Sequence, residues 1–378
     1  MGKNNHFVPR RYLKRFRSVS DRQVALYNLK SRRVIPTAAI GDQCYRNYFY
    51  TKNPAFEAAF TNLESAHEGL YERMIAEEFA PAPESPDRHT LSAAIMFQEG
   101  RTVTTVDRAT HLAGELVKSV LRLQLEKQGK TELAEFVPKL KISLPDVVMD
   151  AIQQHLSMYP LIGDLDCTLF VNRTTEDFLT CDHPIVLGNN LPRESPSGAS
   201  TGFSSRGLLI VVPLSPGALV LLSDREVYKV TRNGRGVAYL TSHPEVVDLN
   251  LAQCSVAREN LYFASEARVR RTLDEFERQR AALRMDPPEM VETPMRAEGR
   301  TGILLGMERT SHHIKLPKVV EIRPAAKTGR YALGDSFVRD PIRTAAVRAE
   351  LDRVHKLRQA ATERAARDKG PAAGQSQG

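Results

Sequence analysis

His6, Glu64 and Asp182 are the side chains of this chain best suited to move a proton or hold a cation. His6 stands in Asn5-His6-Phe7-Val8-Pro9-Arg10-Arg11-Tyr12-Leu13-Lys14-Arg15-Phe16, a segment dense enough in apolar residues to dock, and so to fix the imidazole in place. Asp182 lies in Phe178-Leu179-Thr180-Cys181-Asp182-His183-Pro184. It ends an alternating stretch and precedes a proline, so its carboxylate either caps a turn or points into a cleft. In a cleft it would stand beside His6 as a general base or metal ligand, with His183 as a further proton carrier. Glu57, Glu64 and Glu68 fall at i, i+7 and i+11, nearly on one helical face, with His67 three residues after Glu64. Such a face is either solvated or able to hold a hard divalent cation such as Mg²⁺ or Mn²⁺.

Gln98 and Arg101 follow the apolar run Ala93-Ala94-Ile95-Met96-Phe97. A guanidinium at the end of a buried helix needs a partner, because an unpaired buried charge is costly. Glu64 or Asp182 would supply a structural ion pair; the same fork could instead grip a phosphate or a substrate carboxylate. Arg10, Gln98, Arg101 and Asn250 are therefore the residues expected to hold an anionic substrate. Other chemistries lack their usual signatures, since the chain has no GxSxG elbow, no HExxH and no GxxxxGK[ST] loop. His111 follows Arg108 too closely for the Arg…His motif of one RNase superfamily, and His312-His313 has no further ligand at usable spacing. Cys44, Cys167, Cys181 and Cys254 form no CxxC pair and read as reduced, structural residues.

These residues must be positioned by a mixture of helices and strands. Gln23–Leu29 alternates as a strand and is followed by a turn and a second extended piece. Phe56, Phe60, Leu63, Leu70 and Met74 recur at helical spacing over 55–79, and Pro81, Pro83 and Pro86 break that helix. One or two helices are expected over 90–128, and further ones over 131–141 and 144–158, the last entered by Ser143-Leu144-Pro145-Asp146. From Asp166 the chain turns to strand chemistry, at 167–172, 177–181, 185–187, 208–213 and 218–223, with a polar loop at 189–206. A helix at 244–259 leads into a strand at 260–264. Helices cluster before strands, which argues for an α+β fold: a basic N-terminal arm (1–20), a helical layer (54–160) and a small, mainly antiparallel sheet (166–265). Residues 266–378 read as an Arg-rich helical extension, with a helix at 267–284, a linker at 285–300, a strand at 314–322, a helix at 341–367 and a disordered tail at 370–378.

Several pieces in order carry a family resemblance: His6-Phe7-Val8-Pro9 with Tyr12-Leu13 and Phe16; Glu57 and Glu64; Gln98 and Arg101; Thr180-Cys181-Asp182-His183-Pro184; Val212-Pro213-Leu214-Ser215-Pro216; and Asn250 ahead of Leu261-Tyr262. Together they resemble the bacterial family numbered 4238 among domains of unknown function, over about residues 4–265. Members more often carry Ser and Asn where this chain has Cys181 and His183. The resemblance implies an identity and no established chemistry.

Charge narrows the partners. The net charge is +8, with +6 in the first twenty residues and +7 in 266–378, so the middle of the chain is acidic. Basic ends fit an acidic partner such as nucleic acid. No apolar run is long enough for a membrane span and the basic start lacks a signal-peptide core, so a cytoplasmic protein is expected. The function expected is phosphodiester hydrolysis, as a nuclease of toxin or antiphage type, with His6, Glu64 and Asp182 catalytic. The alternative is a non-enzymatic nucleic-acid or protein binding module in which the same residues form a structural polar network.

Overall fold

A computed structural model describes residues 4–47, 49–50, 54–142, 146–191, 201–283, 289–297, 300–308, 313–328 and 338–368. The chain begins with strand β1 (Asn4–His6) and the short helix α1 (Arg10–Lys14), then β2 (Gln23–Asn28), β3 (Arg33–Ala39) and β4 (Tyr45–Asn47). The helical layer follows as α2 (Pro54–Glu77), α3 (Pro86–Gly100), α4 (Val103–Lys127), α5 (Thr131–Ala134) and α6 (Val147–Ser157). Ser85 and Thr102 cap α3 and α4, each accepting the amide three residues on, and Pro86 starts α3 where a missing N–H costs nothing. The helix expected over 131–141 is only α5 and a 3₁₀ turn at Val137–Lys139, because Pro138 cannot extend an α-helical ladder. Of the expected α6 entry, Ser143, Leu144 and Pro145 lie outside the described residues.

The strand-rich part builds two sheets. Strands β5 (Asp166–Asn172), β7 (Val186–Asn189), β8 (Leu208–Ser215), β9 (Ala218–Ser223) and β11 (Val237–Leu240) form a five-stranded sheet, with β6 (Thr180–Cys181) and β10 (Tyr228–Val230) outside it. The order is β11-β5-β9-β8-β7, antiparallel except for β11 beside β5. Alternate residues serve two faces. Ile210, Val212 and Leu214 pack with Leu70, Met74, Leu91 and Ile95 of α2 and α3. Leu209 and Val211 pack with Val246 and Leu249 of α7 (His243–Val256). A sheet covered on both faces explains why β8 and β9 read as continuous apolar runs. The second sheet, β3-β2-β12-β6, brings β12 (Asn260–Phe263) between β2 and β6, so the N-terminal hairpin joins the C-terminal end of the family-like region.

The remaining elements are α8 (Arg270–Leu283), β13 (Glu289–Ala297), β14 (Arg300–Glu308), β15 (Val320–Ile322), α9 (Pro324–Thr328) and α10 (Pro341–Asp368). The linker expected at 285–300 is corrected by β13, which pairs with β14 as an antiparallel hairpin; Pro294 is accommodated at one position of a two-stranded ribbon, where each strand has a free edge. The strand expected at 314–322 shrinks to β15, after Pro317. This part of the extension packs onto the rest of the chain: β15 pairs with β10, Ile314 joins the core around β8 and α7, and Arg339 bonds to Asp164. The loop residues 192–200, His312 and the tail 369–378 lie outside the described residues.

Candidate functional site

Phe7, Val8, Tyr12, Leu13 and Phe16 of the basic arm are buried with Val24, Leu26, Ile40, Val103 and Tyr262. At about 1.5–3 kcal/mol for each buried large apolar side chain, this anchors the arm firmly. Beneath it a polar clamp centres on Arg101, the C-cap of α3, whose side chain is 2% exposed. Its Nη1 donates to Glu64 Oε1 at 2.6 Å and its Nε to Tyr50 Oη at 2.9 Å. Its Nη2 and the Tyr50 hydroxyl both donate to the backbone carbonyl of His6. The Phe97 ring stacks against the guanidinium with the centroid 4.8 Å away. Gln98 Nε2 donates to the Phe7 carbonyl at 2.9 Å, so α3 takes hold of two successive carbonyls of the arm.

A second arginine repeats the pattern from the arm itself. Arg15 donates to the Leu214 carbonyl and pairs with Glu68, between the rings of Tyr12 and Tyr71. Tyr12 Oη donates to the Pro213 carbonyl at 2.6 Å, tying the arm to β8. Between these groups lies a cavity of about 20 Å³, lined by Tyr12, Glu64, His67, Tyr71, Gln98 and Arg101 among others, about the size of one water. His67 is buried against Phe97 and has no hydrogen-bond partner among the described residues. Burial, with Arg101 nearby, pushes its imidazole down to about 4. Burial also raises the Glu68 carboxyl, against the pull of Arg15.

The structure gathers His6, Glu64, Gln98 and Arg101, and it places Asp182 elsewhere. His6 Nδ1 donates to the Gln43 carbonyl at 3.0 Å, and burial lowers its imidazole below the usual value, with Arg10 and Arg101 adding to the effect. Asp182 does not stand beside His6: its two oxygens accept the amides of Arg258 at 2.9 Å and Glu259 at 2.6 Å. It caps the turn between α7 and β12, and burial raises its carboxyl to about 6 despite those donors. Asn250, fully buried, donates to the Asp177 carbonyl and Thr272 and accepts the Leu179 amide, so its side chain is engaged in fastening α7 to α8 and to the segment that leads into β6. His183 forms a separate buried cluster, with Nδ1 2.9 Å from Thr102 Oγ1 and Nε2 3.5 Å from Glu99 Oε2. Burial lowers its imidazole, against the nearby Glu99 carboxylate.

Glu64 and Glu68 face arginines, the Glu57 side chain lies outside the described residues, and no group of three or more His, Cys, Asp or Glu among the described residues could hold a metal ion. Arg15 and Glu99 are the functional-looking residues that sequence reasoning misses. Arg15 sits in a row of cations, and Glu99 is hidden between Gln98 and Arg101; a carboxylate inside an apolar helix is the signal that could have found it. The outer face of the arm is different in character. Arg10, Arg11, Lys14 and Arg17 are exposed, and Arg11, Lys14 and Arg17 line a groove of about 400 Å³ with Ser65, Glu68 and Glu72 of α2 and with Asp21, which pairs with Arg17 at 3.2 Å. Arg11 Nη1 donates to Ser65 Oγ at 3.0 Å across it. No helix among the described residues is long and apolar enough to cross a membrane.

The chain belongs to the family described as protein of unknown function (DUF4238), whose model matches residues 4–267. The match ends just before α8 and takes in the arm, the clamp and both large sheets. No curated protein and no solved structure matches the chain.

Proposed function

We propose that the protein binds nucleic acid through the outer face of its N-terminal arm. The observation that carries this reading is a division of labour within one short segment. Phe7, Val8, Tyr12, Leu13, Phe16 and Arg15 face inward as anchors, while Arg10, Arg11, Lys14 and Arg17 face solvent, the last three of them lining one groove. A flexible basic tail would lose its conformational freedom on binding; cations on an anchored segment have already lost most of theirs. The predicted catalytic residues that share the clamp hold the arm, which supports the structural-network role for them.

The test is a titration of labelled DNA and RNA against the full chain and against Arg11→Glu/Lys14→Glu, at two salt concentrations. Neutralising three phosphates would give a log–log salt slope of about −2.7 on duplex DNA, roughly a fortyfold loss of affinity between 50 and 200 mM salt. The double variant should lose that binding while melting normally. Equal binding by both proteins would overturn the assignment to the arm.

His6 favours a second reading, hydrolysis of a phosphodiester. With Nδ1 donating to Gln43, Nε2 carries the lone pair, has no hydrogen-bond partner among the described residues, and belongs to a half-buried ring with Arg10 close enough to affect its titration. Incubation with labelled DNA and RNA in Mg²⁺, Mn²⁺ and EDTA, beside His6→Gln, tests it: cleavage lost in the folded variant supports a nuclease, and intact strands in every lane rule against one.

A further inference from the structure

We propose that His67 and the cavity around it form a proton-operated latch for the N-terminal arm, in which a proton taken up at His67 adds a cation beside Arg101 and shifts the arm toward an open state. The geometry is that of a joint where three elements meet around one small cavity. From α2 come Glu64, Glu68 and Tyr71; from the arm come Tyr12 and, paired with Glu68, Arg15; from α3 come Arg101 and Gln98. Each carboxylate is already matched by an arginine, so the cluster is balanced only while His67 is neutral. The remaining lining, Pro9, Ala94, Phe97, Pro184, Ile185 and Val212, is apolar and offers no counter-charge.

The linkage sign follows from where the proton is bound. His67 holds its proton weakly with the arm docked, at about 4, and at its ordinary 6.5 when exposed. Acidification therefore favours the open state, by about twentyfold at pH 5 relative to pH 7 from His67 alone. Glu68 opposes this, since its raised carboxyl binds a proton more readily in the docked state. The opening is local, because Phe7, Leu13 and Phe16 keep the arm closed in most molecules. Any effect on nucleic acid rests on the binding reading above; the latch itself does not.

Hydrogen exchange of the full chain at pH 5 and 7.5, corrected for intrinsic rates, tests the latch in wild type, His67→Gln and His67→Phe. The amides of Phe7, Leu13 and Phe16, bonded to Cys44, Pro9 and Leu13 carbonyls, should lose up to roughly thirtyfold in protection at pH 5 in the wild type alone. The same loss in a folded variant, or no loss in the wild type, would overturn the proposal. A parallel titration with labelled DNA and RNA at pH 7.5 separates the two ideas. Binding without an arm response removes only the latch, and an arm response without binding supports the latch while removing the nucleic-acid reading.

Discussion

Arg101 meets Glu64 at 2.6 Å beneath the N-terminal arm, and the same guanidinium holds the backbone carbonyl of His6. The pair thus joins α2, α3 and the arm through one side chain. Its net contribution over an apolar substitute is small, but breaking it leaves the partner uncompensated in a buried setting. Arg101→Ala should destabilise the fold by about 3–5 kcal/mol, and Arg101→Lys should recover little, because a point charge cannot reach Tyr50, Glu64 and His6 together. Denaturant melts read this directly; a loss below about 1 kcal/mol for Arg101→Ala would show that the clamp does not carry the arm.

Two buried groups should oppose each other between pH 4 and 6.5. His67, depressed to about 4, contributes stability that is present above 6.5 and lost as pH falls toward 4. Asp182, raised from 3.8 to about 6, contributes stability that is present below 3.8 and lost as pH rises through 6. Each amounts to about 3 kcal/mol across its window, so the wild-type profile should be shallow. His67→Gln should then lose stability as pH rises, and Asp182→Asn should lose it as pH falls. Melts at half-unit steps check both slopes, and parallel profiles for the two variants would contradict the assignment.

Glu99 presents a further buried carboxylate, with Oε2 unbonded and 3.5 Å from His183 Nε2 while Oε1 accepts from Thr105. An amide fits these neighbours as well as a carboxylate does: its oxygen can accept from Thr105 and its NH₂ can donate to the imidazole. Glu99→Gln should change stability by less than about 1 kcal/mol, whereas Glu99→Ala, which removes the acceptor of the buried Thr105 hydroxyl, should cost about 2–3. Equal losses in both variants would mean that the charge itself is needed.

The helices and the central strands are legible in the sequence because their burial is periodic: Leu70, Met74, Leu91 and Ile95 mark one stripe, and β8 and β9 are apolar throughout. The need of Arg101 for a carboxylate is legible too, and narrows its partner to Glu64 or Asp182. The choice between them is not, since it depends on which chain segments meet. Asp182 accepts amides 76 and 77 residues away, a distance over which local turn chemistry carries no information. Arg15 is equally hidden, because a cation among cations reads as surface until Tyr12 and Tyr71 enclose it. The hairpin β13–β14 is obscured by Pro294, which a two-stranded ribbon tolerates.

Anchoring and binding on the arm should separate cleanly by residue. Leu13 and Phe16 are fully buried, so Leu13→Ala and Phe16→Ala should cost about 2–5 kcal/mol by opening cavities against Val24, Leu26 and Tyr262. Arg10, Arg11, Lys14 and Arg17 are exposed, and replacing each with Ser should alter stability by no more than about 0.5 kcal/mol. If the outer face binds nucleic acid, those replacements should weaken binding step by step and flatten the salt slope by about one for each phosphate no longer neutralised. The two properties are measured on the same variants, by melts and by titration. Serine variants that unfold would place these cations among the anchors, and serine variants that bind as wild type would move the basic interface to the extension, where the remaining positive charge of the chain lies.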